Sequence, residues 1–385
     1  MNKKAVRLIF VMAITTMINN MAHPVTPELV NSIGYGSFLL GALFASMSLA
    51  NFLMSPVWGK LTDKYGRKPF MVMAPIGYGL TQLGFGFSTN PYIIVMFRLL
   101  AGGISCASFV AGMAYLIDVT DANKRTNVIA LYTAVTGFTS TLGYLVGGFI
   151  GDYDYHRTFL FQGIISVLSS FLVIILIKES YQKITIVTKN SLFKDLAKYR
   201  NTYVPFLLLI TMMTSFLAIG FNNGFNSYMK FVMNLGPKKI GFVMAITGII
   251  GIIMNIGIFP LIKRKFNDFY SLILSIFLIF LTLTFATYFE TINFSITLVF
   301  LVIFFAFLAL YKPLLQSIIS KSGTANGEIM GLNNAFNSLG NVGGSFYTGA
   351  MFAFSVSFTF YSLALIGFLT YFLLITKRNK FKGLG

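Results

Sequence analysis

The chain has 385 residues, of which 56% are hydrophobic and 10% charged, against about 25% charged in an average soluble protein. So little charge excludes a water-facing surface over the whole molecule, and a single cysteine, Cys106, excludes an intrachain disulfide framework. The net charge of +18 would suit a nucleic-acid partner in a soluble chain, but in one this apolar it is read first as an asymmetry across a bilayer.

A membrane helix needs roughly 20 mostly apolar residues to cross about 30 Å of hydrocarbon. Twelve such stretches follow one another: 6–30, 37–58, 70–88, 92–117, 127–150, 158–177, 202–230, 240–261, 269–289, 295–318, 328–353 and 355–376. Unbroken apolar runs such as 272–288 exclude the short alternating strands of a membrane barrel, which leaves helices as the spanning element. The first stretch continues through Pro24 and Pro27 without a marked cleavage site, so a retained span is expected rather than a signal peptide.

With the N terminus inside, the predicted cytoplasmic segments carry 23 of the 29 basic residues, whereas the outer connections carry only Arg157, Lys238 and Lys239. That bias predicts both termini on the cytoplasmic side of a bacterial cytoplasmic (inner) membrane. The basic stretch 178–200 separates an N-terminal six-helix half, 1–177, from a C-terminal half, 201–385. The halves echo one another, since Leu142–Gly148 in span five resembles Leu339–Gly344 in span eleven. The expected fold is an all-α membrane protein of twelve transmembrane helices in two pseudo-symmetric six-helix halves. In such proteins a solute site lies between the repeats near the midplane.

Between spans two and three, Gly59-Lys60-Leu61-Thr62-Asp63-Lys64-Tyr65-Gly66-Arg67-Lys68-Pro69 closely resembles the signature G-x-L-x-D-x-x-G-R-[RK]-x of the major facilitator superfamily. Glycines allow close helix approach, Asp63 can accept charge-assisted hydrogen bonds, and Arg67 and Lys68 can hold another helix end, together a conformational latch. The resemblance covers the whole chain and points to the twelve-helix drug:proton antiporter branch. Pro24-Val25-Thr26-Pro27 is similar to that branch's P-V-x-P segment, Arg98 with Gly102 to its R-x-x-x-G motif, and Asp118 to Arg125 to its loop between spans four and five. The resemblance implies a proton-coupling role for Arg98. Span five resembles the antiporter signature G-P-x-x-G-G but carries Tyr144 where that signature has proline. Read from the residues alone, Gly143, Gly147 and Gly148 are glycines through which two helix backbones can pack closely in lipid.

Ionisable residues inside spans are expensive and mark functional candidates. Arg98 cannot lose its proton and needs a partner; His23 lies at similar depth and Glu28 nearer the outer mouth, so either could exchange a proton while Arg98 biases it. Glu28 is alternatively a solvated helix-end carboxylate. Lys312 either touches solute or snorkels to the inner interface. All eleven acids fall at span ends or in loops, so the interior is net positive, favouring neutral or anionic solutes. Uncharged candidates for the solute cavity are Asn19 and Asn20 in span one, Asn222, Asn223 and Asn226 in span seven, and Asn333, Asn334 and Asn337 in span eleven. Interhelical hydrogen bonding is their alternative role.

The sequence lacks a phosphate-binding G-x-x-x-x-G-K-[ST] loop and clustered metal ligands, so an enzyme is not expected. Neither is a cofactor, and an ion gradient, chiefly of protons, is the expected energy source. The expected partners are a small-molecule substrate and the lipid bilayer, with no nucleic acid, and the expected state is a monomer. The function expected is proton-coupled efflux of small apolar or amphipathic compounds, including drugs. The alternative is a carrier for a sugar, an organic anion or a lipid-linked solute.

Overall fold

The computed structural model describes residues 2–121, 125–180, 199–200, 202–259, 261, 267–320 and 326–378. Among them are thirteen α-helices and no strand: α1 Lys3–Asn20, α2 Thr26–Ser32, α3 Ser37–Tyr65, α4 Lys68–Phe87, α5 Pro91–Asp118, α6 Arg125–Gly151, α7 Tyr155–Leu176, α8 Val204–Ser227, α9 Pro237–Ile253, α10 Asp268–Phe289, α11 Phe294–Ser320, α12 Asn326–Phe354 and α13 Val356–Thr376. Helices α8 and α9 each run into one π-helical turn, Tyr228–Val232 and Met254–Ile258.

Among the described residues, ten helices are long and apolar enough to cross a membrane by themselves. The two other expected spans have identifiable reasons for standing apart. The first is divided between α1 and α2, because Pro24 lacks an N–H and disfavours helix in the residue before it. The eleventh, α12, carries Asn333, Asn334, Asn337 and Asn341 along its length, which lowers its hydropathy.

The helices gather into two compact units, Met1–Val187 with Asn226–Gly248, and Thr188–Phe225 with Ile249–Gly385. The expected halves differ from these units at 226–248, the end of span seven and most of α9, which pack with the first six spans. The expected linker lies mostly in 181–198, outside the described residues. In the first unit α4 packs against α5 and α7, α3 against α5, and α1 against α6 and α7. In the second, α10 packs against α11 and α13.

The repeated glycine segments make the same contact in each unit. A Cβ on Gly143 or Gly147 would overlap the carbonyl oxygens of Met17 or Met21 on the first span. One on Gly340 or Gly344 would overlap those of Met212 or Phe216 on α8. In both places glycines one turn apart sit on carbonyls one turn apart, the close backbone approach that small residues allow. Gly148 faces a different neighbour, with its added Cβ 2.7 Å from the Pro237 oxygen and 3.1 Å from the Cα of Gly241 in α9.

A polar seam runs beside the glycine seam of the second unit. Thr211 donates to Asn333 at 2.8 Å, Asn337 to Ser215 at 2.9 Å and Asn223 to Ser345 at 2.9 Å. Each bond joins α8 to α12, so these asparagines are engaged in holding two helices together. Replacing Thr211 by valine keeps the volume and removes one bond. The expected cost is about 1 kcal/mol, seen as a modest fall in thermal midpoint of the solubilised protein; an unchanged midpoint would mean the seam contributes nothing.

Candidate functional site

The latch motif folds into a tight corner between α3 and α4. Gly66 turns the chain with φ +94°, a conformation that suits glycine. A side chain there would also press on the Glu179 carboxylate, with Cβ 2.7 Å from Oε2. Arg67 is buried; its Nη1 donates to Asp63 Oδ1 at 2.6 Å and its Nε to Asp118 Oδ2 at 3.2 Å, at the end of α5. Burial alone would lower the Arg67 pKa, but its hydrogen bond to Asp63 and the charge of Asp118 outweigh it and the net shift is upward. Lys68 donates to the Ile174 carbonyl at 2.9 Å, in the last turn of α7.

Two expectations for this corner need amendment. Nothing lies within 4 Å of where a Gly59 Cβ would be, so Gly59 is not a close-packing glycine in this structure. Arg125 begins α6, but its side chain lies outside the described residues. Glu179, 112 residues from Arg67, was not foreseen: its two oxygens accept the backbone N–H groups of Arg67 and Lys68, each at 3.0 Å. A carboxylate at these first N–H groups of α4 satisfies orphan donors and meets the positive end of the helix dipole. Asp118→Asn should destabilise the first unit on the order of 2–3 kcal/mol, because Arg67 loses a charged partner while still buried. Thermal unfolding checks this, and a change below measurement error would refute it.

Deeper in the first unit, Arg98 is 1% exposed, and its Nε and Nη1 have no hydrogen-bond partner among the described residues. Its guanidinium lies over the Phe85 ring at 4.8 Å and the Phe44 ring at 5.8 Å. His23 stacks on the same Phe44 at 5.6 Å and meets the edge of Tyr144 at 5.7 Å. Arg98 and His23 are thus brought together around one ring, and the tyrosine in the proline position of the span-five signature is the third member of the group. The side chain of Gln82 is fully buried, with neither amide atom bonded among the described residues.

The break in the first span is supported from two helices. Gln162 of α7 donates to the Ile18 carbonyl at 2.6 Å, and Tyr78 of α4 donates to the Asn19 carbonyl at 3.2 Å. Carbonyls at a helix end need such donors. Asn20 donates to Thr16 at 2.8 Å and to Ser140 at 3.2 Å, and the Asn19 side chain is half-buried.

Glu28 has a partner other than Arg98. Lys230, inside the π-helical turn Tyr228–Val232, pairs with Glu28 at 2.5 Å, and Asn226 donates to the His23 carbonyl at 3.4 Å. Lys230 is 7% and Glu28 27% exposed at the side chain, which is unlike a solvated helix-end carboxylate. The sequence showed Lys230 only as a cation at a span end. Its role depends on a π turn that no local pattern announces.

In the second unit, Asn222 is exposed and bonds its own helix at Ala218, 2.7 Å away; Asn334 is exposed as well. Lys312 is exposed, on α11 just before Pro313. The expected asparagines therefore divide: Asn223, Asn333 and Asn337 have buried or half-buried interhelical bonds, Asn226 bonds the His23 carbonyl in the turn after α1, and Asn222 and Asn334 keep accessible side chains.

A model of the Major Facilitator Superfamily matches residues 8–345. The chain belongs to that superfamily. It is 26% identical over 348 residues to Multidrug resistance protein 1 of Bacillus subtilis (strain 168), covering 88% of this chain and 87% of that protein. It is likewise 26% identical over 363 residues to the Quinolone resistance protein NorA of Staphylococcus aureus (strain MSSA476), covering 91% and 90%. Among solved structures, a variant of the nucleoside transporter NupG superposes with a TM-score of 0.78 at 12% identity, covering 97% of this chain and 99% of that one, which bears on fold alone. The chain is therefore a multi-pass membrane transporter of the superfamily rather than an enzyme, and its curated relatives are drug-resistance proteins.

Proposed function

We propose that this superfamily member is a secondary active exporter of small apolar or amphipathic compounds, including drugs, that are neutral or anionic. It draws on the proton gradient of a bacterial cytoplasmic membrane, works as a monomer without a cofactor, and keeps both termini in the cytoplasm. The drug-resistance relatives support export. The solute charge rests on one observation: Glu28 is paired with Lys230, whereas Arg98 and Lys312 have no acid partner among the described residues. A cationic solute entering such an interior meets repulsion that a neutral or anionic one does not.

Accumulation in cells expressing the protein, measured for matched cationic, neutral and anionic fluorophores with and without a protonophore, tests each part. Export should favour the neutral and anionic dyes and stop when the gradient collapses. Preference for the cation sinks the charge reading; insensitivity to the protonophore sinks the coupling. The second reading, a carrier for a sugar, organic anion or lipid-linked solute, is favoured by the same unpaired cations. It predicts flux of a candidate anion into inside-out vesicles without any drug phenotype.

A further inference from the structure

A cavity of about 720 Å³ opens between α3, α4 and α5, beside the latch corner of the first unit. Its wall is apolar, with Trp58 on α3, Val72, Met73 and Ile76 on α4, and Ile104 on α5. Charged side chains line it at one end only, where Lys68 begins α4 and Glu179 caps that helix. Gly77 closes the other end: a Cβ there would lie 2.8 Å from the Ile104 side chain, so α4 and α5 meet. From Lys68 to Gly77 the helix advances roughly 13 Å. The cavity therefore runs from the end of the spans into their apolar part, with its charges at the outer limit.

The opening lies on the hydrocarbon side. Every exposed residue of α4, the helix that supplies most of the wall, is apolar: Pro69, Met73, Leu80 and Phe87. The last three recur at seven-residue intervals and so share one face along the whole span. A helix face open to water over such a length carries polar residues, whereas one open to lipid has no use for them. Met73 belongs both to this face and to the cavity wall. Trp58 is held in place at the opposite wall, its indole N–H donating to the Gly103 carbonyl at 2.6 Å and its ring tilted against Phe70 at 5.7 Å. Tryptophan near a span end is at home in the interfacial region of a bilayer.

The charged end is net positive. Arg67 is paired with Asp63 and Asp118, and the Glu179 oxygens accept the backbone N–H groups of Arg67 and Lys68. Lys68 gives one N–H to the Ile174 carbonyl and, as an ammonium, has two more to donate. Lys64, four residues before it on α3, and Lys178, next to Glu179, are both exposed. Three lysines thus outnumber Glu179 at the mouth of an apolar groove.

We propose that this cavity binds one anionic glycerophospholipid, with an acyl chain between Trp58, Ile76 and Ile104 and the phosphate on the Lys68 ammonium. A zwitterionic headgroup brings no net charge to the lysines, whereas an anionic one does. Binding of this lipid is independent of which solute the carrier moves and in which direction.

Trp58 is the only tryptophan of the chain, so its fluorescence reports on the cavity directly. The full-length protein is reconstituted in phosphatidylcholine vesicles, into which phosphatidylglycerol, phosphatidylethanolamine or phosphatidylcholine with dibrominated acyl chains is titrated. Brominated phosphatidylglycerol should quench Trp58 at a mole fraction about fivefold lower than brominated phosphatidylcholine, the preference that one lysine near an anionic lipid supplies. Lys68→Gln should bring the two curves together and Lys68→Arg should keep them apart. High salt should narrow the gap in the wild type, which keeps the test intact where Lys68→Gln does not fold. Ile76→Phe, which puts a ring into the cavity, should weaken quenching by both lipids. Equal quenching by the two headgroups, preference for phosphatidylethanolamine over phosphatidylglycerol, or a gap that neither Lys68→Gln nor salt alters overturns the anionic site. Quenching unchanged in Ile76→Phe means ordinary boundary lipid and overturns it as well.

Discussion

Gly147→Leu is expected to leave little correctly folded protein, while Gly137→Ala on the same helix is tolerated. The difference is one of backbone against open space. A Cβ at Gly147 would overlap the Met21 carbonyl oxygen, which belongs to the break in the first span, and nothing lies within 4 Å of a Cβ at Gly137. A side chain can rotate away from a clash, but a carbonyl fixed in a helix end cannot. The two backbones must therefore separate, with a cost of about 3 kcal/mol or more, at the upper end for overpacking. At Gly137 the substitution falls in a helix interior, where alanine is favoured over glycine by roughly 1 kcal/mol. Gly344→Leu should repeat the Gly147 result against the Phe216 carbonyl. Detergent-solubilised yield and thermal midpoint report the outcome, and equal stability of the Gly147 and Gly137 variants would show that the seam is looser than described.

Arg98→Met should separate stability from transport. The guanidinium is 1% exposed and at least two of its nitrogens are unbonded among the described residues. Aromatic faces at 4.8 and 5.8 Å return about 2 kcal/mol each in a desolvated site. An effective penalty of several kcal/mol attends a buried ion, so an apolar side chain of similar length should leave the thermal midpoint unchanged or raise it. Transport should nevertheless fall by about tenfold or more, equivalent to at least ~1.4 kcal/mol on the limiting step, if Arg98 acts on His23 across Phe44. A stable variant with full transport would remove Arg98 from the coupling machinery. A variant that loses stability and transport together would assign it a packing role instead.

Much of the site was legible because its residues are costly where they stand. Arg98, His23 and Lys312 stand out as polar groups in apolar runs, and the Gly59–Pro69 segment as a dense motif. What local pattern could not supply was pairing. Glu179 completes the latch from 112 residues away, and Gln162 and Tyr78 cap the broken span from α7 and α4. Gln82 and Gln162 did carry a signal, an amide in an apolar helix, that the asparagine-rich spans overshadowed. The amides of spans seven and eleven were foreseen as a group. Their division into bonded Asn223, Asn333 and Asn337 and accessible Asn222 and Asn334 depends on which face of each helix meets its neighbour.

The sequence by itself determined the helical class, the positions of the spans and the duplication of the glycine segments, because hydrocarbon demands continuous apolar helices and helix contact in lipid demands small residues. Tertiary structure alone decided that Glu28 faces Lys230 rather than Arg98, that 226–248 packs with the first six spans, and that Arg98 is sealed while Lys312 is accessible. The physical reason is that charge and exposure belong to the neighbours of a side chain. Those neighbours are set by π turns, a proline break and packing between helices far apart in the chain.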